Sequence, residues 1–189
     1  MAGTPKSQNA GQEETQRVID VAAQVRNLHL VDLENLLGDP WATGPRVGWA
    51  LEQYFEVAGW TRGDLVYVAA NPHLVKEFCF DPTVVWNVHA ARGSDGADLA
   101  LLAHAARDFV VRRAGRMVVS SGDHIFANRA RQVAASGVDV LVVARPESRS
   151  RELAVFPFQP FLPMEPVPKP VGGGRSARTH LDNGGALAA

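Results

Sequence analysis

The chain has 189 residues, of which 46% are hydrophobic and 21% charged, and its formal net charge is −1. This length and composition fit one domain with tails, and a nearly neutral chain can attract nucleic acid only through a local patch. No segment resembles a secretory signal or a membrane span, and the single cysteine, Cys79, excludes an internal disulfide, so we expect a cytoplasmic protein without a membrane partner.

Apolar spacing predicts the elements of the domain in chain order. Five predicted strands lie at residues 28–31, 65–70, 84–88, 117–119 and 138–143. Predicted helices lie between them at residues 47–55, 72–78, 98–110 and 125–134. Residues 33–45 contain two Gly and two Pro residues, which is typical of a loop.

The composition also divides the chain into three parts. Residues 1–26 are a polar segment with one short helical pattern, residues 27–163 form the domain, and residues 164–189 are rich in Pro and Gly. We expect the last of these parts to be a disordered tail.

Strands that alternate with helices predict a three-layer α/β domain with a mostly parallel, five-stranded sheet. We expect the strand order 3-2-1-4-5, which puts the first and fourth strands side by side. The segment 156–162, with its phenylalanines and prolines, predicts an extended edge piece, which becomes a sixth strand if it pairs with the sheet.

Three acidic residues fall where parallel strands end. Asp32 ends the first strand, Asp98 opens the helix after the third strand, and Asp123 follows the fourth. In open parallel sheets this C-terminal edge is where ligands bind. Carboxylates crowded there repel one another unless a cation neutralises them, and oxygen-only ligands suit Mg²⁺ or Mn²⁺. Such an ion supports phosphodiester hydrolysis.

Other polar residues lie near these acids in the sequence. Asn35 and Ser121 are further candidate contacts for a substrate, and Asp95 is a candidate fourth metal ligand. Glu34 is another candidate ligand, unless it points to the opposite face of an extended segment.

A purely structural explanation stays open for two of the three acids. Asp98 and Asp123 each begin a predicted helix, where an Asp side chain caps free backbone amides. Asp32 has no such explanation in the predicted elements, because it follows a strand.

A substrate with phosphate groups needs positive charge at the same edge. Arg92 follows the third strand, and Arg145, Arg149 and Arg151 follow the fifth, so we expect phosphate contacts from them, although surface arginines in loops are common. Trp41 lies in the first loop and is a candidate for stacking on an unpaired base.

Three segments resemble the motifs of NYN domains, a family of PIN-like nucleases. They are VDLENLLG (31–38), GADLALLAHA (96–105) and SSGDHIFANRARQVAASGVDVLVVA (120–144), and the resemblance spans roughly residues 28–162. It implies a PIN-like sheet, Mg²⁺ or Mn²⁺, and RNA as the substrate of cleavage.

By position, the resemblance implies an acidic core of Asp32, Asp98 and Asp123, assisted by Asn35 and Ser121. One position departs from the family pattern. Many NYN domains carry a second Asp two residues after the one that matches Asp123, and Ile125 stands there in this chain.

We therefore expect a metal-dependent ribonuclease. The alternative is a non-catalytic RNA-binding or protein-interaction module on the same fold, which Ile125 and the nearly neutral net charge favour. A haloacid-dehalogenase-like phosphatase also has an Asp after its first strand, but it requires Asp where Glu34 stands. The chain has no glycine-rich phosphate loop, so we expect no nucleotide cofactor, and homo-oligomer formation stays open.

Overall fold

The computed structural model describes residues 26–78, 86–93 and 95–163. Several predicted features lie outside these residues: the helical pattern before residue 26, the start of the third predicted strand, Cys79, and the Pro- and Gly-rich residues 164–189. No helix among the described residues is both long enough and apolar enough to cross a membrane.

One sheet of six strands organises the described residues, and every pair of neighbouring strands is parallel. Its strands are β1 (Asn27–Asp32), β2 (Leu65–Ala70), β3 (Asn87–Ala90), β4 (Arg116–Ser120), β5 (Asp139–Ala144) and β6 (Phe158–Pro160). The order is β3-β2-β1-β4-β5-β6. The predicted α/β class and the order of the first five strands are confirmed, and the Phe-rich segment does add a sixth strand at the edge.

Helices cover both faces of the sheet. They are α1 (Leu33–Leu37), α2 (Gly44–Val57), α3 (Pro72–Phe78), α4 (Gly96–His104), α5 (Arg107–Arg113) and α6 (Ala127–Ala134). Helices α1 to α3 enclose one apolar cluster, and α4 to α6 enclose the other. The strands between them are apolar on both faces, as is usual for parallel sheets.

The predicted loop 33–45 is wrong in its first part, because α1 follows β1 without a break. Leu33, Leu36 and Leu37 recur at helical spacing and are buried. The Asp32 side chain caps the start of this helix, and Gly38 ends it with a left-handed φ of 66°. The Gly and Pro residues that suggest a loop lie only after this short helix.

The predicted helix 98–110 is also wrong, because two helices replace it. Helix α4 ends at His104, and Ala106 is extended, with φ −53° and ψ 128°, before α5 begins. No Gly or Pro marks this break.

Two further elements begin at other residues than the sequence predicts. The third strand begins at Asn87, where it pairs with Tyr67 of β2. The helix expected from residue 125 begins as a short 3₁₀ turn (His124–Phe126) before α6.

Candidate active site

The C-terminal ends of β1 and β4 bring the first two polar groups of the site together. The two strands are neighbours, with Val31 beside Ser120. One residue further along each strand, the Ser121 hydroxyl donates a hydrogen bond of 3.0 Å to Oδ2 of Asp32. Both residues are buried, so this contact lies inside the protein at the edge where ligands bind in such sheets.

Asp98 meets Asp32 from the first turn of α4. It is only 8% exposed, Asp32 is 5% exposed, and the charge of Asp98 lies near enough to raise the pKa of Asp32. Two ionised carboxylates have no proton to share. Oδ1 of Asp98 is buried and has no hydrogen-bond partner among the described residues. The pair therefore needs either a proton or a cation between its oxygens.

Burial and mutual repulsion change the titration of both acids. Burial raises the pKa of Asp32 to about 7, and the nearby charge of Asp98 adds to this effect, while hydrogen bonds from Asn35 and Ser121 oppose it. Burial likewise raises the pKa of Asp98 to about 6, with a further contribution from the charge of Asp123. The site thus holds protons close to neutral pH, which ordinary carboxylates do not.

Helix capping explains Asp32 and Asp123 but not Asp98. Oδ1 of Asp32 accepts the Asn35 amide at 3.1 Å, and Oδ1 of Asp123 accepts the Ile125 amide at 2.9 Å. Asp98 is the third residue of its helix, and Asp95 occupies the cap position without a side-chain cap bond. The capping alternative is therefore wrong for Asp98, and it applies to Asp32, for which the predicted elements left no cap.

A network around Asn35 closes the other side of the site. Its side-chain oxygen accepts hydrogen bonds from the Gly122 amide and the Ser148 hydroxyl, both at 3.1 Å. Its main-chain oxygen accepts one of 3.0 Å from Nε of Arg145. Sequence reasoning missed Ser148, although its place after the fifth strand indicates the same edge of the sheet.

The charge of Asp123 acts on the pair, because it raises the pKa of Asp98. Its side chain is 39% exposed and lies 3.0 Å from Nδ1 of His124. Within the described part of the chain, no group of three or more His, Cys, Asp and Glu side chains is arranged to hold a metal ion. The site is therefore a close pair, Asp32 and Asp98, with Asp123 beside it.

The other predicted site residues lie around this pair. Asp95 is exposed, and its charge contributes to the raised pKa of Asp98. Glu34 was expected to point away if its segment was extended, but the segment is helical, and the charge of Glu34 raises the pKa of both paired acids. Its carboxylate also accepts the Asn71 amide at 2.8 Å.

The arginines proposed for phosphate contacts differ in their surroundings. Arg92 is exposed in the segment after β3. Arg145 pairs with Glu147 at 2.9 Å in addition to its bond to Asn35, and the Arg149 guanidinium lies 4.2 Å from the centre of the Phe158 ring. Contact between any of them and RNA stays a prediction.

Three comparisons with known proteins, against family models, curated proteins and solved structures, each found no match for this chain. The resemblance to NYN domains therefore depends on the three motifs alone. Any function proposed for the chain depends on its own buried acids and their neighbours.

Proposed function

We propose that the protein is a metal-dependent ribonuclease whose site is built on Asp32 and Asp98. The observation that carries this proposal is Oδ1 of Asp98, a buried carboxylate oxygen that has no hydrogen-bond partner within the described part of the chain, on a residue near a second buried acid. Burying such a pair is costly unless a counter-charge stabilises it. A protein that keeps two acids there without a basic partner has a site suited to a cation.

The donor set fits Mg²⁺ or Mn²⁺. Asp32 and Asp98 supply carboxylate oxygens, and Asp123 can add one if its half-exposed side chain leaves His124. All of these donors are carboxylate oxygens, and hard divalent cations prefer oxygen. When bound, such an ion supplies positive charge beside a phosphoryl group and makes water more acidic.

The surrounding residues orient the acids. The Ser121 hydroxyl and the Asn35 amide hold the two oxygens of Asp32, so this carboxyl group cannot rotate freely. Ser121 also accepts the Asp123 amide at 3.2 Å, which ties the end of β4 to the same carboxyl group. Oriented carboxylates of this kind position a cation, and a phosphate bound to it, in one place.

Support for RNA as the substrate comes from the resemblance to NYN domains. The parallel sheet is of the kind that the resemblance implies, and Asp32 and Asp98 lie at its C-terminal edge, with Asp123 beside them rather than in the pair. A similar fold does not by itself imply the same function, so the proposal depends on the paired acids.

A second candidate is a non-catalytic RNA-binding module. One observation favours it: Ile125, which stands where the family motif has an acid, packs against the apolar cluster beneath α6. The site therefore has one carboxylate fewer than the motif implies. Binding of RNA without any metal-dependent cleavage is the result that this candidate predicts.

The two candidates differ in a cleavage assay on a labelled single-stranded RNA with Mg²⁺ or Mn²⁺. We expect cleavage by the wild-type protein, none in EDTA, and a loss of at least a hundredfold in Asp98→Asn and Asp32→Asn. Asp108→Asn is the matched control, because Asp108 is exposed and paired with Arg107 on α5. Equal cleavage by all four proteins would exclude the acidic pair as the active site.

A further inference from the structure

A cavity of about 440 Å³ is lined by the segment that joins α1 to α2 and by the first turns of α2. Its lining includes two indole rings, Trp41 and Trp49, together with Asp39, Thr43 and Arg46. The segment starts where α1 ends, and α1 itself starts at Asp32. Five helical residues span only about 8 Å, so the cavity is close to the C-terminal edge of the sheet.

Trp41 is held in an exposed position. It is 69% exposed, which is unusual for the largest apolar side chain. Its amide donates to Oδ1 of Asp39 at 2.9 Å, and its ring lies 5.3 Å from that of His73. Nδ2 of Asn71 donates to the carbonyl of the preceding residue, Pro40, at 3.0 Å. The backbone that presents Trp41 is thus fixed before any ligand binds.

The polar groups of the cavity leave a donor without an acceptor. Nη1 of Arg46 pairs with Asp39 at 3.0 Å, but Nε of Arg46 is buried and has no partner among the described residues. Thr43 stands at the start of α2 without making a side-chain cap bond there. Buried donors of this kind are normally satisfied, but solvent does not reach this Nε, so a ligand in the cavity meets the exposed indole of Trp41 instead.

The charge of the cavity argues against a phosphate group as its occupant. The Arg46 guanidinium is already neutralised by the Asp39 carboxylate. A flat, uncharged ring matches an exposed indole better than an anion does. Nucleobases have both properties, and they stack on aromatic side chains whatever their sequence.

We propose that this cavity binds an unpaired base of a single-stranded RNA, with the base stacked on Trp41. The inference takes RNA as the ligand from the proposed function. It adds to that function a site that anchors the strand while the neighbouring phosphate lies at the acidic pair.

Fluorescence anisotropy of a labelled seven-nucleotide RNA, measured in EDTA to prevent cleavage, tests the proposal. We expect Trp41→Ala to weaken binding about tenfold or more and Trp41→Phe to weaken it less, because a phenyl ring still stacks. Trp60→Ala is the control. Trp60 is also partly exposed, at 40%, but it follows the far end of α2 and packs on Phe55.

A second measurement asks whether the lost contact is with a base. Replacing single nucleotides of the RNA by abasic ones should reproduce the loss with the wild-type protein at one position, and it should cause no further loss with Trp41→Ala. No binding by the wild-type protein, equal binding by Trp41→Ala, or an equal loss in Trp60→Ala would each overturn the inference.

The result is separable from that of the cleavage assay. If Trp41→Ala weakens binding while Asp98→Asn still cleaves, the ribonuclease proposal fails and the base-binding cavity stands. If Asp98→Asn abolishes cleavage while Trp41→Ala binds as the wild-type protein does, the cavity is rejected and the ribonuclease stands.

Discussion

Asp98 is the residue on which the candidate site depends most. Asp32 and Asp123 each accept a backbone amide, and those bonds alone would account for an acidic residue at either position. Asp98 is buried near another acid, and among residues 26–78, 86–93 and 95–163 it caps no helix and its Oδ1 has no hydrogen-bond partner. Buried acids that lower the stability of the folded chain usually lie at functional sites.

Asp98→Asn should therefore make the metal-free protein more stable. The pKa of Asp98 is about 6 in the folded chain and near 3.8 in the unfolded chain, so the folded state loses stability as the pH rises from about 4 to about 6 and keeps that loss above it. Removal of the charge should raise the free energy of unfolding by about 1 kcal/mol or more at pH 8.

Urea denaturation at pH 4 and pH 8 measures this effect, with Asp108→Asn as the control. The gain should be smaller at pH 4, because the Asp98 carboxyl group then keeps its proton in the folded chain. A variant that is less stable than the wild-type protein at pH 8 would contradict the prediction.

Metal affinity should follow the titration of the same pair. With pKa values of about 7 for Asp32 and about 6 for Asp98, a cation has to displace a proton at low pH. We expect the affinity for Mn²⁺ to rise about a hundredfold per pH unit below pH 6, where both acids carry a proton, about tenfold per unit between pH 6 and pH 7, and to level off above pH 7. Calorimetric titration at a series of pH values measures it, and an affinity that is constant from pH 5 to pH 8 would show that the pair is not the site.

At the scale of the elements, the site depends on how closely two connections pack. The chain leaves β4 through Gly122, and the turn that follows β5 packs against this glycine. The Ser150 amide donates a hydrogen bond of 2.8 Å to the Gly122 carbonyl. A Cβ atom on Gly122 would lie 2.2 Å from the Ser148 carbonyl oxygen. Only glycine lets the turn come close enough for Ser148 to reach Asn35.

Gly122→Ala should separate these connections. Overpacking against backbone costs about 1–3 kcal/mol, and the displaced turn should also lose the Ser148 bond to Asn35. The matched control is Gly48→Ala in α2, where an added Cβ has open space and should stabilise the helix by about 0.5–1 kcal/mol. Thermal denaturation compares the two, and equal melting temperatures would contradict the close contact.

At the scale of the whole molecule, the sheet separates two apolar clusters, and the last described residues complete one of them. Phe161 follows β6, is 1% exposed, and packs edge-on against Tyr54 of α2 at 6.5 Å. Its amide donates to the carbonyl of Ala144 at the end of β5. The sixth strand is thus part of the fold and not an appendage to it.

Phe161→Ala should lower the free energy of unfolding by about 3–5 kcal/mol, because it leaves a cavity beneath the edge of the sheet. Its neighbour Leu162 provides the control, since it is 62% exposed and its change to Ala should cost no more than about 0.5 kcal/mol. Equilibrium unfolding in urea measures both, and similar losses for the two variants would mean that Phe161 does not anchor the strand.

The sequence by itself determined the α/β class, the order of the first five strands, and the edge of the sheet at which Asp32 lies. These properties follow from local patterns, because apolar spacing distinguishes strands from helices and right-handed crossovers restrict their order. Between Asp98 and Val110 the apolar spacing fits one long helix as well as two short ones, and the prediction of one helix was wrong. No residue there marks the end of α4.

Only the tertiary structure decided how the acids meet. The approach of Asp98 to Asp32 depends on where α4 packs over the sheet, and Oδ1 of Asp123 lies 3.0 Å from Nδ1 of His124 beside them. The hydrogen bond from Ser148 to Asn35 joins residues that are 113 positions apart. Distances between side chains on different elements follow from packing, which spacing along the chain does not encode.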